Sequence, residues 1–291
     1  MDILVTKKSK DYELLDSGDG QKLERYGEYV LSRPDTQAIW GKKLGSSEWS
    51  KADAVFSHGE KTLKWNIKNK INESWSITLN DIVFSLSLLP SKHLGVFPEQ
   101  SSQWTWIAEK IASSAIRRGG GKVTVLNLFG YTGGASLVCA KAGAEVVHVD
   151  ASKFAVDLAH KNLKLSGLSQ KPVRFIINDV RKFVEREIKR GNKYDIILMD
   201  PPVYGKGVKK EVWKIETDLT PFLLRVKKIV SDNPLAIVLN GYASVYSAGS
   251  YRNLLESITN DMGGDLSCGE LTIEESSGRM LPCGIYSRWS K

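Results

Sequence analysis

From Val123 to Leu239 short apolar runs alternate with stretches of helical period, and that alternation restricts the fold more than any other feature. Val123 to Leu128, Glu145 to Val149, Val173 to Ile177, Tyr194 to Met199 and Pro234 to Leu239 read as buried strands. Between them Ala135 to Ala142, Lys153 to Ser166, 180–190 and 216–231 read as helices. Strands separated by helices pair in parallel, since a parallel connection needs a crossover. The expectation is an α/β fold, a parallel sheet with helices on both faces. Upstream, Trp104, Ile107, Ile111, Ala112 and Ala115 recur at three- and four-residue steps, a helix that Gly119 to Gly121 should end. Downstream, Glu270 to Glu274, a Ser-Gly-Arg turn and Gly284 to Trp289 read as a closing hairpin.

The first ninety residues have a different texture. Tyr12 to Asp16, a turn at Ser17 to Gly20 and a strand from Lys22 to Leu31 read as a hairpin. Lys61 to Ile71 and Ser74 to Leu89 continue with alternation, which sets Trp75, Ile77 and Leu79 on one face. Ile82, Phe84, Leu86 and Leu88 repeat the pattern, while Asp35 to Trp40 and Gly45-Ser-Ser read as loops. The expected division is therefore a β-rich domain over 1–90 and an α/β domain over 91–291.

Composition narrows the class. Hydrophobic residues make up 42% and charged residues 25%, enough for a packed core. No run approaches a membrane span, and the N-terminus lacks the apolar centre of a signal peptide. Cys139, Cys268 and Cys283 form neither a disulfide framework nor a metal-ligand spacing. These features point to a cytoplasmic protein without a metal. A net charge of +8 favours a polyanionic partner, RNA or another nucleic acid first.

The chemistry-bearing residues stand where the predicted strands end. Asn127-Leu-Phe-Gly-Tyr-Thr-Gly-Gly follows the first strand and opens a helix, so its backbone can approach a ligand closely. Asp150 ends the second strand, about 20 residues beyond the turn, where a carboxylate suits the hydroxyls of a ribose. Asn178-Asp179-Val180 ends the third, and Asp200-Pro-Pro-Val-Tyr204 the fourth. The spacing Gly130-x-x-Gly133-Gly134 departs from the G-x-G-x-x-G of dinucleotide sites, which disfavours a nicotinamide enzyme. Each motif has a plainer reading as well: a tight turn, a helix cap, a strand terminator, and for Tyr204 an ordinary core position.

Taken in order, these motifs resemble those of class I S-adenosylmethionine-dependent methyltransferases. They are most similar to the bacterial large-subunit rRNA methyltransferase group, with its Asn-x-Phe-x-Tyr-Thr-Gly turn and Asp-Pro-Pro-x-Phe/Tyr motif. The resemblance implies a Rossmann-like seven-stranded sheet, mostly parallel, with a closing antiparallel hairpin, behind a small β-rich N-terminal domain. It implies that S-adenosyl-L-methionine lies against Asn127, Phe129, Gly130, Thr132 and Gly133. Asp150 and Ala151 would then meet its ribose, and Asp179 and Val180 its adenine. His93 to Gln100 resembles the loop that covers the cofactor, which brings in Phe97 and Gln100, although Gln100 stands where that group often has Arg. Asp200, Pro201, Pro202 and Tyr204 would meet the acceptor, with rRNA foremost. Relatives that methylate cytosine carbon-5 carry a Cys after the strand that follows Asp-Pro-Pro. Here that stretch reads Ile237-Val-Leu-Asn-Gly-Tyr-Ala-Ser244, so the expected acceptor atom is nitrogen or oxygen. The alternatives are an RNA-binding relative without turnover, and a methyltransferase of protein or small molecules. The lysines at 206, 209, 210 and 214, with Trp213 among them, are a candidate phosphate-holding loop.

Overall fold

The two sequence textures fold into two compact units, one of Leu4–Ser102 with Leu271–Cys283, the other of Met1–Ile3, Gln103–Glu270 and Gly284–Lys291. The computed structural model describes residues 1–58, 63–117, 121–207, 211–242 and 246–291. Lys61, Gly119, Gly120, Lys209, Lys210 and Ser244, which figure in the readings above, lie outside the described residues. Strand β1 (Asp2–Thr6) begins the chain.

In the first unit β2 (Tyr12–Gly18), β3 (Gln21–Tyr26) and β4 (Tyr29–Pro34) form successive antiparallel pairs. The single strand expected over 22–31 is thus two. Gly27, at φ 65°, lets the chain reverse between Tyr26 and Tyr29. The Gly45-Ser-Ser expected as loop instead opens a short helix, α1 (Ser46–Ser50), because Trp49 has a buried place to go. β5 (Ala54–His58) runs parallel to β4, and β6 (Leu63–Ile67) closes this sheet. β7 (Trp75–Leu79) and β8 (Ile82–Leu86) form a separate hairpin, with Asn80 and Asp81 both at positive φ in its two-residue turn. Trp75, Ile77 and Leu79 are buried on one face, as the alternation predicts. At the centre of the unit the buried Glu24 accepts hydrogen bonds from Tyr12, Tyr26 and Arg33. Burial alone would raise its pKa, but the charges of Arg33 and Lys22 bring it down to about 2.

The second unit is the α/β one. Helix α2 (Ser101–Arg117) leads to β9 (Thr124–Leu128), α3 (Gly134–Lys141), β10 (Glu145–Asp150), α4 (Lys153–Leu165), β11 (Val173–Ile177), α5 (Val180–Arg190) and β12 (Ile196–Met199). A two-stranded excursion, β13 (Tyr204–Lys206) and β14 (Val212–Lys214), precedes α6 (Ile215–Lys227), β15 (Ala236–Tyr242), α7 (Ala248–Thr259), β16 (Asp265–Glu274) and β17 (Met280–Ser290). The sheet order is β1-β16-β17-β15-β12-β9-β10-β11. β9, β10, β11, β12 and β15 are parallel, and β17 runs against β15. The sheet therefore has eight strands among the described residues. Seven are those expected, and β1 adds the eighth at the edge beside β16. Their apolar side chains bury against helices on both faces, in two clusters. Among the described residues no helix is long and apolar enough to cross a membrane.

The chain runs from β9 outward to β10 and β11, then returns to the other side of β9 with β12. The strand order reverses there, which leaves a crevice between helices at the carboxyl ends of β9 and β12. Helix α3 starts at that reversal and packs closely on α2. A Cβ at Gly134 would fall on the indole of Trp104. Gly134→Ala is expected to overpack this contact by about 1–3 kcal/mol. Thermal unfolding should then begin several degrees lower. An unchanged melting temperature would contradict the close approach.

Candidate functional site

Five residues after β9 make a turn that ordinary side chains avoid. Phe129 has φ 59°, Tyr131 φ 49° and Gly133 φ 91°. Two left-handed non-glycine residues so close together persist only where their surroundings hold them. Here the Gly130 N–H donates to the Val149 carbonyl at 3.0 Å, and the Tyr131 N–H donates to Asp150 Oδ2 at 2.9 Å. The tip of β10 thereby grips the turn of β9. Glycine is required at 130 for another reason: a Cβ would overlap the buried imidazole of His148.

Beneath the turn lies a chain of buried polar groups. Asn127 Nδ2 donates to Ser136 Oγ at 2.9 Å, and that oxygen is 2.9 Å from His148 Nδ1. Thr132 is buried, and its carbonyl accepts from Asn162 at 3.0 Å. Gly133 is the N-cap of α3 and offers no side chain to cap it. The first N–H groups of that helix follow directly after the turn.

Asp150 is half-buried. Besides Tyr131, it accepts the Ser152 N–H on Oδ1 at 2.7 Å. Burial raises its pKa above the usual carboxylate range, against the pull of the backbone N–H groups of Ser152, Tyr131 and Ala151. One strand further out, Asp179 is the N-cap of α5. It accepts from the Arg181 and Lys182 N–H groups, and the Arg181 guanidinium lies 2.8 Å from Oδ2. Burial alone would raise this carboxyl, but Arg181 brings it below the usual range. Val180 is buried behind it.

On the other side of β9, Asp200 lies exposed at the end of β12 and Pro201 is buried. Tyr204 is 54% exposed, so its reading as a core residue does not hold. The Pro202 carbonyl accepts the indole N–H of Trp213 at 2.7 Å. Trp213 is 5% exposed and packs edge-on against Phe129 and Phe222, with ring centroids 5.0 and 5.6 Å away. It is therefore a strut between the Pro-Pro segment and the glycine turn, which corrects its placement among phosphate-holding aromatics. The Arg181 guanidinium donates to the Val212 carbonyl at 3.1 Å, so Asp179 is tied to the same strut. The sequence reading missed this bracing role of Trp213, Phe222 and Arg181. The available signal was an aromatic placed between a charged loop and a helix, which burial alone can interpret.

Asn127, Phe129, Gly130, Thr132, Gly133, Asp150, Ala151, Asp179, Val180, Asp200, Pro201, Pro202 and Tyr204 thus all follow or end neighbouring parallel strands of one unit. Phe97 and Gln100 belong to the other unit. There Phe97 caps the 3-10 turn Pro98–Gln100 and stacks edge-on against His93.

Comparison with known proteins adds four findings. The profile of the S-adenosylmethionine-dependent methyltransferase family matches residues 21–239. The crystal structure of a SAM-dependent methyltransferase from Agrobacterium tumefaciens superposes with a TM-score of 0.93 at 39% identity, covering 100% of this chain and 93% of that one. A ribosomal RNA large subunit methyltransferase I from Aeromonas salmonicida is 43% identical over 84 residues, 28% of this chain and 21% of that protein. A similar protein from Klebsiella pneumoniae is 35% identical over 100 residues, 34% of this chain and 25% of its own length. The chain thus spans only about a fifth to a quarter of the curated relatives it matches.

His148 gives the site a measurable acid sensitivity. Burial lowers its pKa to about 4, against a smaller opposing pull from the Tyr131 backbone. The folded chain keeps the imidazole neutral, whereas the unfolded chain protonates it below about 6.5. Its contribution to stability is therefore present above pH 6.5 and is lost as the pH falls towards 4. The loss amounts to about 3 kcal/mol. Urea titrations across that window should show a steeper fall for wild type than for His148→Gln. Parallel curves would contradict the buried neutral imidazole.

Proposed function

Because the chain belongs to the S-adenosylmethionine-dependent methyltransferase family, we propose that it methylates RNA, ribosomal RNA foremost, at a nitrogen or oxygen atom. The observation that carries this reading is the Asp150 carboxylate at the tip of β10, held against the left-handed turn by Tyr131. It is half-buried and keeps acceptor capacity for the hydroxyls of a ribose. The backbone of Phe129 to Gly133 then faces the methionine part of the cofactor. Ala151 borders the ribose, and Asp179 meets the adenine amino group with whatever acceptor capacity Arg181 leaves. Val180 packs beneath the ring, and Asn127 fixes the turn from below.

Bound in this place, S-adenosylmethionine supplies a methyl group already activated by its sulfonium charge. The task of the protein is placement, and holding two reactants at near-attack distance is worth about 7–11 kcal/mol. Asp200 and the Pro201 carbonyl orient the acceptor by accepting its hydrogen bonds, with Pro202 keeping the segment stiff. The exposed Tyr204 offers a face for a base taken out of its stack, worth about 1–3 kcal/mol. The net charge of +8 and the relatives that act on ribosomal RNA support a polyanionic substrate.

Transfer to a pyrimidine carbon-5 would begin with a thiolate adding to the ring. Cys139, Cys268 and Cys283 are all buried. Burial pushes the Cys139 thiol up to about 12 and that of Cys283 well above its usual value. Neither supplies a thiolate at neutral pH. The state of these two thiols supports nitrogen or oxygen as the acceptor.

Calorimetry with S-adenosylhomocysteine tests the cofactor half of the proposal. Wild type should bind, and Asp150→Ala should bind about tenfold or more weakly, the loss of a charge-assisted pair. Because Asp150 is shifted upward, affinity should already fall as the pH approaches that raised value from above. Incubation with methyl-labelled cofactor and total RNA from cells lacking the protein tests the substrate half. Label in RNA is expected; label in protein or small molecules alone would reject RNA, and no label at all would favour a relative without turnover.

A further inference from the structure

One tyrosine hydroxyl beside the acceptor end of the site makes no hydrogen bond within the protein among the described residues. β12 and β15 are adjacent parallel strands with Met199 opposite Leu239. One step further along both strands, Asp200 comes beside Asn240, and Gly241 follows. Gly241 has no side chain, and a Cβ there would fall on the hydroxyl of Tyr251, which α7 delivers from the sheet face. The bare backbone at 241 is what admits that hydroxyl.

The ring of Tyr251 is core, only 2% exposed and packed in the larger apolar cluster. Three other buried tyrosines use their hydroxyls. Tyr194 donates to Glu187 at 2.6 Å, and Tyr12 and Tyr26 donate to Glu24. The Tyr251 hydroxyl makes no hydrogen bond to any described residue. Packing alone would be served as well by Phe, so the hydroxyl is free to serve a ligand. Burial and the charge of Asp200 both raise its pKa, so it stays a protonated donor at neutral pH.

We propose that the Tyr251 hydroxyl contacts the acceptor, and that with Asp200 it selects a base carrying an exocyclic amino group next to an unprotonated ring nitrogen. This rests on the RNA methyltransferase reading above and narrows it. A carboxylate accepts an N–H from the amino group while the phenol donates to the neighbouring nitrogen, a complementary pair of opposite sense. Adenine and cytosine present that edge, as does guanine at its N2 and N3; uracil has no amino group. In the transfer, the lone pair of the amino nitrogen forms the new N–C bond. The C–S bonding pair leaves with sulfur as a neutral thioether, and the proton shed by nitrogen passes to Asp200.

Tyr251→Phe removes the hydroxyl and keeps the ring, so the test separates contact from packing. Wild type and variant are assayed with labelled cofactor and RNA from cells lacking the protein, and the RNA is digested to identify the labelled nucleoside. The label is expected on an exocyclic amino nitrogen. In the variant kcat/KM for RNA should fall about tenfold, the loss of one neutral hydrogen bond. Affinity for S-adenosylhomocysteine and the melting temperature should stay level or rise. Labelled RNA with an unaffected variant, or label on uridine or ribose, would overturn this inference while leaving the RNA reading intact. A variant that loses cofactor affinity or thermal stability in step with activity would make Tyr251 a packing residue and overturn it too. Wild type that labels no RNA would remove the RNA reading, and this inference with it.

Discussion

The hydrogen bond from the Tyr131 N–H to Asp150 is the contact on which the rest of the site depends. It joins the end of one parallel strand to the end of the next, and it holds a turn in which Phe129 and Tyr131 both carry positive φ. Released from Asp150, that turn would relax towards ordinary backbone and carry the start of α3 with it. The carboxylate has two tasks of one kind: it orders the backbone beside it, and in the proposed function it holds a ribose with the acceptor capacity that remains. Gly130 lets the turn settle on His148, and the Asn127–Ser136–His148 chain keeps that floor polar but closed.

A second brace runs on the opposite side of β9. Trp213 bonds the Pro202 carbonyl, packs on Phe129 and takes the edge of Phe222, so the Pro-Pro segment and the glycine turn share one aromatic strut. Arg181 connects that strut to Asp179. In the proposed function, cofactor side and acceptor side are thus set by a single set of contacts within one unit. Rigidity of this kind is what a reaction governed by placement requires.

Much of this was legible in the sequence, and the reasons differ by element. The strand and helix order from Val123 to Leu239 was readable because a buried parallel strand needs a continuous apolar run and its helix a 3.6-residue period. Asp150, Asp179 and Asp200 were readable because each stands where such a run stops. The reversal at Gly27 was not, since a lone Gly between two tyrosines does not interrupt alternation. The extra strand β1 could not be read either, because an edge strand of five residues has no partner signal of its own. Trp213 was misplaced for a physical reason: its lysine neighbours marked the segment as solvated, while the partners that bury it, Pro202, Phe129 and Phe222, come together only in the fold. Tyr204 went the other way, an aromatic that sequence alone cannot assign to core or surface.

The most direct test of the central claim is a crystal structure of the protein with S-adenosylhomocysteine. Both ribose hydroxyls should lie within hydrogen-bond distance of Asp150, with the Tyr131 N–H still donating to that carboxylate and the amino-acid end of the ligand against Phe129 to Gly133. A ligand seated elsewhere, or one that displaces Tyr131 from Asp150, would contradict the claim.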